Sequence, residues 1–168
     1  MNNIILIGFM GCGKTSVGKR LSDKLSLCFK DTDQLIEEKA GKTIAEIFAD
    51  EGEKTFRNME TECLKNLIDG NESGMVLSVG GGLPLREENR MLLRKLGRVI
   101  YLKASGETVY NRVKYDTKRP LLQGNNPRGR ILDLMAARKG FYEDAAEFTV
   151  CVDGKNFTQI MEEIEALL

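Results

Sequence analysis

The residues best able to do chemistry stand near the start of the chain. Gly8-Phe-Met-Gly-Cys-Gly-Lys-Thr15 fits the spacing G-x-x-x-x-G-K-[ST], whose glycines let backbone amides wrap a polyphosphate at the start of a helix. Gly11, Cys12, Gly13, Lys14, Thr15 and Ser16 are therefore candidate contacts to ATP, with Lys14 reaching the β and γ phosphates and the Thr15 hydroxyl on Mg2+. Asp31 and Asp33 lie two residues apart after an apolar stretch. From the carboxyl end of a strand one could serve a metal and the other an acceptor hydroxyl, the alternative being a solvated turn with a helix N-cap. Gly80, Gly81 and Gly82 end another apolar run, where bare amides could approach a substrate or simply form a tight turn. Arg57 and Arg138 interrupt apolar helical stretches and Arg119 precedes Pro-Leu-Leu, so each is an anion ligand or a surface charge. Arg86, Arg90 and Arg94 recur every four residues behind Glu87 and Glu88, which reads as a solvated helix face.

Composition removes whole classes of reaction. The chain of 168 residues has no histidine, which excludes Ser/His/Asp hydrolysis, phosphohistidine chemistry and histidine-bound metals. Its 25 basic and 25 acidic residues cancel, so nothing in the charge balance points to nucleic acid or an anionic membrane. No apolar run reaches the ~18 residues that span a bilayer, and the reading is a soluble cytoplasmic protein. Four cysteines without a C-x-x-C pair suit reduced thiols. Cys28, Cys63 and Cys151, among apolar neighbours, read as core filler, and Cys12, at a helix start, as the most reactive thiol. No guanine-reading N-K-x-D is present, and the third strand ends in glycines rather than in the acids of a motor ATPase.

Elements must hold these residues in place. Strands are expected at 3–7, 27–30, 75–79, 99–102 and 148–152. Helices are expected at 14–25, 35–40, from a capping box at Thr43, again beyond Gly52 to 68, and at 84–96, 105–113, 127–139 and from 157 onward. Continuous apolar strands alternating with helices imply an α/β fold, a five-stranded parallel sheet between two helical layers, in a single domain spanning 1–168. Residues 114–125 lack periodicity and read as a mobile surface loop.

In this order, Gly8-Phe-Met-Gly-Cys-Gly-Lys-Thr-Ser-Val-Gly18, Asp31-Thr-Asp33, Phe56-Arg57 with Glu60, Gly80-Gly-Gly82, Arg119-Pro-Leu-Leu122 and Arg138 with Tyr142 resemble the shikimate kinase family over essentially the whole chain. The resemblance implies a P-loop kinase fold with the P-loop at 8–15, substrate-binding helices at about 33–61 and a lid at about 114–125. It implies transfer of a phosphoryl group from ATP to the 3-hydroxyl of shikimate, with Lys14, Asp33 and Arg119 catalytic. Shikimate would be held by Asp33, Arg57, Gly80, Gly81, Gly82 and Arg138, with Glu60 orienting Arg57. Mg2+ would lie on Thr15 and Asp31, with Arg112 stacking on adenine and Lys155 on the nucleotide. A monomer needing neither nucleic acid nor membrane is implied. Cys12 replaces a smaller residue usual in the family, and the loop Asp153-Gly-Lys-Asn156 lacks a proline often found there. A gluconate or nucleoside monophosphate kinase of the same architecture, or a non-catalytic ATP-binding domain, remains open. Asp33 argues against a phosphate-bearing acceptor, since like charges repel.

Overall fold

A computed structural model describes residues 3–116 and 124–168. Thirteen elements alternate along it: β1 (Asn3–Ile7), α1 (Lys14–Leu25), β2 (Cys28–Asp31), α2 (Thr32–Ala40), α3 (Ile44–Asp69), β3 (Met75–Ser78), a one-turn 3-10 helix (Leu83–Leu85), α4 (Glu87–Leu96), β4 (Gly97–Lys103), α5 (Gly106–Val113), α6 (Pro127–Ala145), β5 (Phe148–Cys151) and α7 (Phe157–Leu167). The five strands form one parallel sheet in the order β2-β3-β1-β4-β5. Ile5 at the centre pairs with Leu77 on one side and Val99 on the other. Ile4, Ile5, Leu6 and Ile7 are all buried, because a central parallel strand is covered on both faces. Each such side chain contributes about 1.5–3 kcal/mol by leaving water. Right-handed crossovers put α1, which packs against α7, on one face, and α4, which packs against α3 and α6, on the other.

The order places β1 at the switch point, where connections leave in opposite directions and a crevice opens beyond the strand ends. The loops after β1, β3 and β2 therefore converge, and these carry the P-loop, the three glycines and Asp31 with Asp33. A second, smaller apolar cluster of Ile36, Ile47 and Phe56 holds α2 against the first half of α3. Gly52 (φ 82°) marks a kink within α3.

Several boundaries differ from the sequence reading for local reasons. The second helix begins at Thr32 rather than 35, because Asp31 caps it and accepts from the amides of Asp33 and Gln34. Pro84 lies in the 3-10 turn, not at the start of α4. The sixth helix continues past 139 to Ala145. Of the three arginines read as a solvated face, Arg94 is exposed, but Arg86 and Arg90 are partly buried. The side chain of Arg90 is only 12% exposed, its guanidinium binds Asp144 of α6, and it donates to the carbonyls of Pro84 and Leu85. Arg86 donates to Asn58 of α3 at 2.9 Å. Partners far along the chain, invisible to a helical period, make this face a clasp between helices.

The cysteine reading holds for Cys63, which packs against the core, and is reversed for Cys12, Cys28 and Cys151. Cys28 and Cys151 are exposed, because β2 and β5 are the sheet's edge strands, and Cys63 is half-buried. Cys12 is 1% exposed, its sulfur turned inward against Gly8. Limited alkylation of the folded protein is accordingly expected to label Cys28 and Cys151 first, and Cys12 only after unfolding. Peptide mapping reads this; early labelling of Cys12 would contradict the burial of its thiol.

Candidate active site

The phosphate end of the site is a helix left uncapped. α2, α3, α5, α6 and α7 each start at a side chain that accepts from their first turn. α1 has no such cap. Gly13 occupies its cap position at φ 101°, a conformation natural to glycine, so the first amides of α1 face outward as an anion site with the helix dipole behind them. The ammonium of Lys14 is held in the loop by the carbonyls of Gly8 at 2.8 Å and Phe9 at 3.1 Å. Thr15 Oγ1 donates to Asp31 Oδ2 at 3.3 Å. Asp31 thus caps α2 with one oxygen and turns the other toward the P-loop.

A cavity of about 280 Å3 joins these residues to the acceptor side, where it is lined by Asp33, Gly80 and Gly81. Backbone is exposed there because side chains would not fit. A Cβ on Gly80 would meet Asp33 Oδ1 at 2.8 Å and Glu60 Oε1 at 3.1 Å, and one on Gly82 would run into the guanidinium of Arg57. Arg57 is turned toward the glycines by Glu60, whose Oε2 accepts from Nη1 at 2.8 Å, and more weakly by Glu53. Arg138 lies over the Phe9 ring, 5.7 Å from its centroid, with Nη1 3.7 Å from where a Cβ on Gly81 would stand. Three buried atoms in this corner have no hydrogen-bond partner: Asp33 Oδ1, Glu60 Oε1 and Arg138 Nε. Buried polar atoms are rarely left so, and a hydroxylated acid is a ligand that would satisfy both the carboxylate oxygens and the guanidinium.

The structure thus brings together Gly11, Gly13, Lys14, Thr15, Ser16, Asp31, Asp33, Arg57, Gly80, Gly81, Gly82 and Arg138, whereas Cys12 does not line the cavity: its thiol is buried and its amide donates to Phe9 O at 3.2 Å. Arg112 lies exposed along the outer side of the P-loop, with Nη1 donating to Gly11 O at 3.2 Å. Lys155 is not drawn to this cavity; its ammonium pairs with Glu163 of α7 at 2.6 Å. Arg119 and most of the expected lid lie outside the described residues. Two supports escaped the sequence reading. Thr32 Oγ1 accepts from the Gly80 amide at 3.0 Å, a role hidden by the aspartates flanking it. The buried Tyr142 hydroxyl donates to Gly81 O at 2.7 Å, and its place one turn after Arg138 was the available signal. Burial pushes that phenol well up, so it stays a neutral donor.

A larger cavity of about 410 Å3 between α2 and α3, apolar within and rimmed by Lys30, Lys39, Glu62 and Glu72, holds none of these groups; chemistry, not size, marks the site.

The electrostatics follow from the same crowding. Loss of water around Asp33, reinforced by the charge of Asp31 and opposed by Lys14, raises its pKa to about 6. Burial likewise raises Glu60 to about 7, against the pull of Arg57. Both values lie above those of the unfolded chain, so the folded protein binds these protons more tightly. That stabilisation is complete below about pH 4 and is lost as pH rises through 6–7. The chain has no histidine, so apart from its α-amino group little else titrates there. Metal- and nucleotide-free protein is expected to melt at a higher temperature at pH 5.5 than at pH 8.0, with the gap narrowed in Asp33→Asn. Thermal scans at the two pH values read this; equal melting temperatures in the parent protein would refute it.

A family model described as Shikimate kinase matches residues 10–168. A shikimate kinase of Symbiobacterium thermophilum is 45% identical over 164 residues, covering 96% of this chain and 93% of its own. One of Thioalkalivibrio sulfidiphilus is 45% identical over 163 residues, covering 97% and 85%. The solved structure of the Acinetobacter baumannii enzyme in complex with shikimate superposes with a TM-score of 0.91 at 38% identity, covering 99% of this chain and 92% of that one.

Proposed function

The chain belongs to the shikimate kinase family, and we propose from that premise that it transfers the terminal phosphoryl group of ATP to the 3-hydroxyl of shikimate, in the pathway to chorismate and the aromatic amino acids. The observation that carries the assignment of roles is the unpartnered Asp33 Oδ1, buried in the cavity that also holds Lys14 and the uncapped start of α1.

On the donor side, the amides of the P-loop bind the phosphates and Lys14 neutralises charge on the transferred group. On the acceptor side, Arg57 and Arg138 take the carboxylate, and Asp33 accepts a hydrogen bond from the attacking hydroxyl. The new bond forms between that oxygen and phosphorus, the bond to the ADP oxygen breaks, and the hydroxyl proton passes to Asp33. A carboxylate already raised to about 6 is a better proton acceptor than an ordinary one. The transition state is loose, so positioning and charge neutralisation matter more than base strength. The Thr15 hydroxyl and Asp31 carboxylate are hard oxygen donors that fit Mg2+, which prefers few protein ligands beside phosphates and water. When bound there it would neutralise phosphate charge. The family resemblance assigns Arg119 to the phosphates, and Arg112, beside Gly11, to the nucleotide side. One chain supplies every group invoked, which supports work as a monomer, and four unpaired thiols suit a reducing cytoplasm. Among the described residues no helix is long and apolar enough to cross a membrane.

ADP release measured with shikimate, gluconate and AMP as separate acceptors is expected to proceed with shikimate alone. Turnover with gluconate or AMP and none with shikimate would overturn the reading. Asp33→Asn should abolish phosphorylation while ATP binding, followed calorimetrically, stays near that of the parent; parent-like turnover would remove Asp33 from the mechanism. Arg119→Ala should lower kcat by about 100-fold or more with a smaller change in shikimate affinity, as loss of a transition-state charge donor does. A change confined to the shikimate KM would make Arg119 a ground-state ligand instead.

A further inference from the structure

We infer that Asn89 is a positioning residue for the acceptor site, acting through Thr61 to hold the Arg57 turn of α3 at a fixed spacing from the three-glycine loop. The inference rests on the acceptor reading of Arg57 and Gly82 given above.

Asn89 shares a helix face with Leu93 and Leu96, where α4 buries its apolar side, and it is itself 0% exposed. An amide there loses its water and is tolerated only when its donors and acceptor are matched. Its Nδ2 donates to Leu83 O at 2.9 Å, and its Oδ1 accepts from Thr61 Oγ1 at 2.7 Å. Leu83 follows Gly82 directly, and Thr61 follows Glu60 and lies one helical turn beyond Arg57. The two bonds therefore join the loop that carries Gly82 to the helix that carries the guanidinium packed against it. Thr61 Oγ1 also lies 3.2 Å from Arg57 O, so the same hydroxyl sits between Asn89 and the backbone of the Arg57 turn, with the shorter bond to Asn89. Arg86 adds a donor to Thr61 at 3.4 Å from the start of α4.

The spacing so fixed is a tight one. No side chain separates Gly82 from Arg57, and the loop's other carbonyls are held by different elements: Gly81 O by Tyr142 of α6, and Pro84 O and Leu85 O by Arg90. The Asn89 and Thr61 pair ties Leu83 of this loop to α3, and Arg86 adds a more exposed tie from the start of α4 to Asn58 and Thr61. A leucine at 89 would suit the apolar face but would release Leu83 O and the Thr61 hydroxyl together. The donor side makes no contact with this pair, so its loss should act on the acceptor alone.

Steady-state kinetics of Thr61→Val and Thr61→Ser with both substrates varied test this. Thr61→Val keeps the shape and removes the hydroxyl; it is expected to raise the shikimate KM about three- to tenfold, as loss of one buried hydrogen bond does, with the ATP KM within about twofold. Thr61→Ser should restore the parent value. Asn89→Ala should raise the shikimate KM at least as far, and the double variant no further than Asn89→Ala alone, because the two residues form one chain. The inference is overturned if Thr61→Val leaves the shikimate KM unchanged, if both KM values rise together, or if Thr61→Ser fails to rescue. Phosphorylation of shikimate by the parent protein is the separate control for the acceptor assignment itself.

Discussion

The structure turns on two carboxylates crowded against a residue that has no side chain. Asp33 and Glu60 each place an oxygen about 3 Å from the point where Gly80 would carry a Cβ, and neither oxygen has a partner. Two buried like charges without solvent are costly, and both pKa values rise as a result. Much of the surrounding architecture offsets that cost. Arg57 neutralises Glu60, Lys14 faces Asp33, and Thr32, Tyr142 and Asn89 hold the glycine loop from three helices. Such a corner is more at home around a polyol acid than empty, which fits strain being concentrated where binding occurs.

Donor and acceptor halves are built by opposite means. The P-loop presents backbone, with amides left free because α1 lacks the side-chain cap that five other helices have. The acceptor side presents long side chains, and backbone is kept bare only to make room for them. The first arrangement recognises any polyphosphate and the second a particular outline. On the proposed assignment, specificity lies in α2, α3, α6 and the loop after β3 rather than in the motif most visible in the chain.

That division explains what could be read from residues alone. Parallel strands, helix caps at Thr43, Ser105 and Asn156, and the P-loop rest on local spacing, and all are found near where spacing puts them. Asp31 and Asp33 were legible as a pair, and the local cap made by Asp31 as one of its readings, but the burial of Asp33 depends on the neighbouring loops. Cys28 and Cys151 were misjudged because apolar neighbours do not distinguish a central strand from an edge strand. Arg90 and Asn89 were missed for a related reason: their partners are up to 54 residues away, and a helical period carries no information about them.

The small cluster of Ile36, Ile47 and Phe56 has a consequence for motion. It is separate from the main core, so α2 and the first half of α3 are anchored by little apolar surface of their own and bend at Gly52. Amide hydrogens there should exchange through local opening, at a lower free energy than those of β1 or β4. Asp33 sits at the head of this unit and Arg57 within it, so bringing an acceptor into the corner would also tighten a segment that is otherwise free to breathe.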